Sequence, residues 1–81
     1  MIYRLKYDPG IEAVHDALPQ DVSQELSIAL SAACDDPLGA TTPRGVDDPY
    51  NRAIVTDHVY VLLYVSHTRK SIDVLQIHYL G

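Results

Sequence analysis

The strongest constraint on the fold is a run of seven apolar residues, Val-Tyr-Val-Leu-Leu-Tyr-Val, at positions 59–65. A membrane-spanning helix needs about 20 such residues, so the run is too short to cross a bilayer. Polar segments bound it on both sides, Asp57-His58 before it and His-Thr-Arg-Lys at 67–70 after it. Because its apolar residues are continuous, the run predicts a central strand over Val59–Ser66 that is covered on both faces.

The segment before this strand predicts one strand and two helices. Residues 2–7 alternate between apolar and basic side chains, which is the period of a half-buried strand. Residues 11–18 and 22–33 carry apolar side chains at helical spacing, and residues 35–39 are predicted to end the second helix. Pro19 lies between them, where it ends one helix and suits the first turn of the next. These two helices are therefore predicted to form a helical hairpin.

The remaining segments predict a loop and two further strands. Residues 40–51 are rich in Pro, Gly, Asp and Thr and are predicted to be a long loop. A short strand is predicted over 52–56, and a longer one over Ser71–Tyr79 with strict alternation. One face of this last strand is then formed by Asp73, Leu75, Ile77 and Tyr79, and the other by Ile72, Val74, Gln76 and His78. The result is a single α+β domain of residues 1–81, ordered β-α-α-β-β-β, with a helical hairpin packed on an antiparallel meander.

Charge and composition exclude several classes of function. The chain has 81 residues and a net charge of −5, which argues against a general binder of nucleic acid or membrane surfaces. Its single cysteine, Cys34, forms no intramolecular disulfide and is predicted to be an inert packing thiol. The four histidines have no metal-ligand spacing, so no metal and no cofactor are predicted. A start without a signal peptide predicts a cytoplasmic protein that does not bind membranes.

Six short motifs stand along the chain in a fixed order. They are Leu-Pro-Gln-Asp-Val at 18–22, Ala-Cys-Asp-Asp-Pro at 33–37, Arg-Gly at 44–45, Tyr-Asn-Arg at 50–52, Val-Tyr-Val-Leu-Leu-Tyr at 59–64 and Ile-Asp-Val-Leu-Gln-Ile-His-Tyr at 72–79. Together with the order of elements, they resemble the RelE/ParE family of toxins over nearly the whole chain. The resemblance implies the RelE/ParE-like α+β fold.

The same resemblance implies two activities and a common partner. RelE-type members are ribosome-dependent mRNA endonucleases that use basic residues on the sheet face, and ParE-type members inhibit DNA gyrase. Members of both types are usually neutralised by a cognate antitoxin that wraps the toxin. The partners expected from the resemblance are therefore an antitoxin, with the ribosome and its mRNA, or gyrase, as the alternatives.

Four residues are candidates for the catalytic site that the resemblance implies. Arg44 matches the basic residue before the turn glycine, and Arg52 lies near the basic positions of the second strand. His78 and Tyr79 end the last strand and are candidates for an acid/base pair, although adjacent strand residues face opposite sides. Val61 stands where the family has an arginine, and a basic C-terminal tail is absent. Stabilising a phosphoryl transition state needs several cations or donors in one pocket, and only one or two of the family's basic residues remain in this sequence.

Three functions are consistent with these residues. The favoured one is a toxin component that acts mainly through protein–protein interaction and is held by an antitoxin, with nuclease activity weak or lost. The second is an mRNA endonuclease with a rebuilt site, which predicts that Arg44, Arg52, His78 and Tyr79 converge on one concave face. The third is a binder of gyrase or another protein, or a self-associating dimer, which predicts an exposed apolar patch around Ile28, Leu38 or the last strand edge.

Overall fold

The computed structural model describes residues 2–81 and contains three helices and five strands. In chain order these are β1 (Arg4–Tyr7), α1 (Ile11–Ala17), α2 (Gln20–Asp35), α3 (Pro37–Ala40), β2 (Thr42–Pro43), β3 (Asn51–Val55), β4 (Val59–Ser66) and β5 (Ser71–Tyr79). The strands form one sheet in the order β1-β5-β4-β3-β2. β1 runs parallel to β5, and the other neighbours are antiparallel. The predicted α+β class, the two main helices and the antiparallel meander are confirmed.

Two short elements escaped prediction because each is too short to show a period. Residues 37–40 form a helical turn, α3, where the sequence predicted the end of α2. Pro37 begins this turn, and the Asp36 side chain accepts a hydrogen bond from the Gly39 N–H at 3.1 Å. Residues 42–43, predicted as loop, pair with β3 and extend the sheet by a fifth strand.

The helices cover one face of the sheet, so the prediction that β4 is covered on both faces was wrong. Alternate residues of β4, from Val59 to Val65, are fully buried against the helices. In between, Tyr60, Leu62 and Tyr64 are partly or largely exposed. We call the side packed by the helices the covered face. The opposite side, which carries these three residues and their cross-strand neighbours, is the open face.

The core lies between the covered face and α2. Five residues of α2 are buried at helical spacing: Val22, Leu26, Leu30, Ala33 and Cys34. They pack against the buried residues of β4 and β5, including Ile72 and Val74. Burying one such aliphatic side chain stabilises the fold by about 1.5–3 kcal/mol, so this single layer is the main source of stability in a chain this small.

A bulge in β5 overturns the predicted alternation of the last strand. Leu63 pairs with Val74 and Leu62 pairs with Gln76, so Leu75 has no partner of its own on β4. The extra residue exchanges the faces of everything that follows it. Ile77 therefore packs against the core together with Val74, although strict alternation placed these two residues on opposite faces.

Candidate functional site

A row of polar side chains crosses the open face from one sheet edge to the other. Arg44 lies opposite Asn51, which pairs with Tyr64, and Tyr64 pairs with Asp73. Lys6 of β1 is the neighbour of Asp73 at the far edge. The row therefore places a cation near each edge and an acid between them, with Tyr64 41% exposed at its centre.

Arg44 is exposed but held by a hydrogen-bonded network in the loop before β3. Its Nη2 donates to Asn51 Oδ1 at 2.7 Å, and Asn51 Nδ2 donates to Asp48 Oδ2 at 2.9 Å. Asp48 Oδ1 also accepts the backbone N–H groups of Tyr50 and Asn51, at 2.9 and 3.0 Å. Hydrogen bonds from the backbone and side chain of Asn51, and then from Tyr50, lower the pKa of Asp48 to about 2.

Arg52 is not on the open face. It pairs with Leu63, so its side chain points to the covered face, where it is 7% exposed. Its Nε donates to Thr41 Oγ1 at 2.9 Å, and its Nη2 donates to the carbonyl of Thr41 at 2.8 Å. The same guanidinium donates to the carbonyls of Leu38 at 3.1 Å and Asp48 at 3.1 Å. It thus fastens α3, the segment after it and the loop before β3 to the sheet.

The partners of Arg52 explain why a charged side chain is stable in this position. Carbonyl oxygens at the end of a helix have no partner inside the helix, and they favour a cation. The planar fork of arginine reaches the carbonyls of Leu38 and Thr41 at the end of α3, the loop carbonyl of Asp48 and the Thr41 hydroxyl at once, which lysine does not do. This role of Arg52 is not evident from the sequence, because Thr41 and Leu38 carry no motif that marks them as acceptors.

His78 and Tyr79 point to opposite sides, as adjacent strand residues do. His78 pairs with Tyr60 on the open face, where its Nε2 lies 3.1 Å from Gln76 Oε1. Tyr79 pairs with Val59 and is half exposed at the end of the covered face. The bulge reversed the predicted assignment, which had grouped His78 with the buried Val74.

The structure does not bring the four predicted catalytic residues together. Arg52 and Tyr79 belong to the covered face, whereas Arg44 and His78 belong to the open face. The latter two are separated by four residues along β3 and by three strand spacings across the sheet. These separations amount to about 13 Å along the strands and about 14 Å across them. The catalytic role of the four residues stays a prediction, and this arrangement does not favour it.

Beneath the covered face, β1 is joined to the helices by a tyrosine–histidine pair that the sequence did not reveal. His15 Nε2 lies 3.0 Å from the Ser23 carbonyl, which only accepts, so Nε2 carries the proton. His15 Nδ1 therefore accepts the hydroxyl of Tyr7 at 2.8 Å. Burial raises the pKa of Tyr7, and the nearby carboxylates of Glu12 and Asp16 raise it further.

The other tyrosine of the N-terminal segment is held in the same way. Tyr3 donates its hydroxyl to His67 Nδ1 at 2.8 Å, because His67 Nε2 donates to the Pro49 carbonyl at 2.7 Å. Lys70 lies over the ring of Tyr3, with Nζ 5.1 Å from its centroid. The two tyrosine–histidine pairs fix both ends of β1 to the rest of the domain.

A cavity of about 140 Å³ lies between β1 and the helices. Its lining residues are Leu5, Tyr7, His15, Ser27, Leu30, Ser31 and Cys34. Burial raises the pKa of the Cys34 thiol, and the charge of Asp35 adds to this shift. A thiol in this state is a poor nucleophile, in keeping with the packing role predicted for Cys34.

Several apolar side chains are exposed where the third functional hypothesis placed them. Ile28 and Leu38 are 65% and 50% exposed, and Tyr79 is half exposed at the end of β5. Within residues 2–81, no three His, Cys, Asp or Glu side chains are grouped so as to hold a metal ion. No helix in this described part of the chain has the length and apolar character needed to cross a membrane.

Comparisons with known proteins identify the fold. No protein-family model and no curated protein matches the chain. Among solved structures, it is similar to the toxin–antitoxin complex RelBE2 of Mycobacterium tuberculosis, with 11% identity, a TM-score of 0.80 and 98% and 99% of the two chains covered. It is also similar to the isolated RelE toxin of E. coli, with 18% identity, a TM-score of 0.80 and 98% and 85% covered.

The chain is also similar to a solved archaeal structure. The RelE–RelB complex of Pyrococcus horikoshii OT3 matches with 18% identity, a TM-score of 0.73 and 100% and 98% of the two chains covered. At these identities the likeness is one of fold. The fold predicted from the six motifs is therefore confirmed, and it is the fold of RelE toxins. The ParE side of the resemblance stays a prediction.

Proposed function

We propose that this protein is a RelE-like toxin component of a type II toxin–antitoxin system that acts mainly through protein–protein interaction, with nuclease activity weak or lost. Its structural neighbours are RelE toxins, and several of them were solved as complexes with RelB antitoxins. That likeness supports an antitoxin partner for this chain. The geometry of its own residues supports reduced nuclease activity.

The dispersal of the candidate catalytic side chains carries the proposal. A phosphoryl-transfer site places its donors and cations within hydrogen-bond distance of one reacting group. Here Arg52 is occupied by four hydrogen bonds on the covered face, and Arg44 and His78 lie far apart on the open face. No common reacting group fits between these side chains.

The charge on the open face agrees with this view. Asp73 lies between the cations Arg44 and Lys6, in the row that crosses the sheet. A carboxylate at that position repels the phosphates of RNA, and the net charge of −5 opposes approach to a ribosome. The exposed aromatic and aliphatic side chains of this face, such as Tyr64 and Val55, suit contact with a protein instead.

Induced expression in a bacterial host tests the proposal, with growth and pulse-labelled translation followed together. We expect translation to continue at the rate of uninduced cells. We also expect the protein to co-purify at a fixed ratio with the product of a small reading frame beside its own gene. The double variant Arg44→Ala/His78→Ala serves as the activity control, because both side chains are exposed on the open face and the fold does not depend on them.

Two results would overturn the proposal. Translation that collapses on induction, and recovers in the Arg44→Ala/His78→Ala variant, would show a working nuclease on the open face. Failure to co-purify with either neighbouring gene product would remove the antitoxin partner. Arg52→Ala is unsuitable as an activity control, because its loss damages the fold and would silence a binder and an enzyme alike.

A further inference from the structure

The cavity between β1 and the helices has the size and the lining of a site for a small molecule. Its volume is about 140 Å³, and its wall is mainly apolar, with Leu5, Leu30 and Cys34 among the side chains that form it. Protein interiors contain few spaces larger than one water molecule. An engineered apolar cavity of about 150 Å³ stays dry and binds one benzene, so this space suits a single aromatic ring.

The cavity exists because α2 presents small side chains beside β1. Leu26 and Leu30 of α2 are buried in the core, whereas Ser27 and Ser31 line the cavity and are exposed at its mouth. Neither serine is large enough to fill the space in front of it. The apolar wall therefore lacks contact atoms on one side, and a molecule of matching size gains dispersion contacts that the chain does not supply.

One wall of the cavity carries a hydrogen-bond acceptor. Tyr7 donates its only hydroxyl proton to His15 Nδ1 at 2.8 Å, so the Tyr7 oxygen keeps the capacity to accept a hydrogen bond. Within residues 2–81, no group donates to this oxygen. The nitrogens of His15 are both engaged, since its Nε2 donates to the Ser23 carbonyl. The wall therefore favours a ring that bears one hydroxyl or N–H group.

Charge favours a neutral molecule. Burial raises the pKa of Tyr7, and the carboxylates of Glu12 and Asp16 raise it further, while burial and then Asp35 raise the pKa of Cys34. The same carboxylates oppose an anionic group inside the cavity. No carboxylate is found among the described residues that line it, so a cation would be buried without a partner, which is costly.

We propose that this cavity binds one neutral aromatic molecule of the size of phenol or a cresol. Its ring lies among Leu5, Leu30 and Cys34, and its hydroxyl donates to the oxygen of Tyr7. The bound ring then contacts β1 and α2 together and stabilises the packing of the N-terminal strand. The inference goes beyond the proposed function and does not depend on it, because it concerns the covered face and a free small molecule.

Binding of p-cresol to the purified full chain tests this inference, with Cys34 as the reporter. Cys34 is the only cysteine of the chain and lines the cavity, so the small neutral reagent methyl methanethiosulfonate should reach it when the cavity is empty. Calorimetry supplies the Kd. At about ten times the Kd, we expect the labelling rate to fall about tenfold and the melting temperature to rise by about 5–10 °C.

Two further probes test the chemical class of the ligand. Toluene has the ring and methyl group of p-cresol without the hydroxyl, and 4-methylbenzoate carries an anionic group in its place. We expect 4-methylbenzoate to bind at least about tenfold more weakly than p-cresol. In Tyr7→Phe, the ratio of p-cresol to toluene affinity should fall at least about fivefold, because the buried hydroxyl loses its acceptor. This ratio cancels any general effect of the substitution on the fold.

A matched pair of variants locates the site. Ser31→Phe places a ring at the mouth of the cavity and should make Cys34 labelling slow and insensitive to p-cresol. Ala32→Phe adds the same ring at a neighbouring exposed position outside the cavity and should bind p-cresol like the unaltered protein. Both positions are exposed, so both variants are expected to fold.

Several results would overturn the inference. Labelling of Cys34 that is unchanged by millimolar p-cresol would remove the site, and so would equal p-cresol binding by Ser31→Phe and Ala32→Phe. Equal affinity for 4-methylbenzoate and p-cresol would contradict a neutral ligand, and an unchanged affinity ratio in Tyr7→Phe would contradict recognition of the hydroxyl. If Ser31→Phe fails to fold, the ratio measured in Tyr7→Phe still decides.

Discussion

The covered and the open face of the sheet each hold one arginine from the segment around β3, in opposite ways. Arg52 on the covered face donates to four acceptors and is nearly inaccessible, so its charge serves the fold. Arg44 on the open face has one short contact, to Asn51, and stays exposed. Residue type alone therefore does not separate a structural cation from one that a partner or substrate meets.

The largest difference in stability is expected when each of these two arginines is replaced by alanine. Arg52→Ala leaves the carbonyls of Leu38, Thr41 and Asp48 without their donor, which costs about 2–4 kcal/mol. Arg44→Ala is expected to change the free energy of unfolding by less than about 0.5 kcal/mol. Urea unfolding of both proteins, followed by circular dichroism, measures the difference.

A conservative variant makes the test stricter. Arg52→Lys keeps the charge but loses the planar fork, so its stability should fall between that of Arg52→Ala and the unaltered protein. Equal stability of Arg44→Ala and Arg52→Ala would break the comparison, because the buried hydrogen bonds of Arg52 would then contribute nothing.

A smaller effect is expected from two tyrosines, one on each face. Tyr7→Phe removes the hydroxyl that donates to His15 Nδ1 and leaves a buried nitrogen unpaired, which costs about 1 kcal/mol. The hydroxyl of Tyr64 on the open face has no hydrogen-bond partner within residues 2–81 and the side chain is 41% exposed, so Tyr64→Phe should be nearly neutral. For a domain of this size, 1 kcal/mol corresponds to about 4–8 °C in melting temperature, which calorimetry resolves. A larger loss for Tyr64→Phe would show that the open face is part of the fold.

The sequence predicts the elements well where they are long and periodic, as in α2, β4 and β5. It fails where a feature depends on a partner distant in the chain. The bulge at Leu75 is defined by how β5 pairs with β4, and no property of Leu75 itself announces it. Strict alternation therefore assigned His78 to the wrong face.

The same limit applies to the candidate site. The match of Arg52 to a basic family position came from its neighbours in sequence, whereas its burial results from α3 and from carbonyls up to 14 positions away. The tyrosine–histidine pairs are also invisible in sequence, because Tyr3 and His67 are 64 residues apart, and because Tyr7 and His15 lie on a strand and a helix whose packing the sequence does not specify. Arg44 was easier to place, since its position before a turn glycine keeps it at the surface.

The smallest effect on stability is expected from Asp48, which contacts the partner of one arginine and binds the other. Its carboxylate holds Asn51, the partner of Arg44, while its carbonyl accepts from Arg52. The pKa of Asp48 is about 2 in the folded protein, below its ordinary value of 3.8. Its contribution to stability is therefore fully present above the ordinary value, and it is lost as the pH falls through about 2.

NMR titration measures this contribution directly. The amide signals of Tyr50 and Asn51 should shift with a midpoint near pH 2, because their N–H groups donate to the ionised carboxylate. Asp48→Asn should abolish that transition while leaving the backbone carbonyl bound to Arg52. If these amides instead titrate at the ordinary pKa of an aspartate, the loop is not held by Asp48. Arg44 would then lack an anchored Asn51 as its partner, and Asp48 would no longer connect the two arginines.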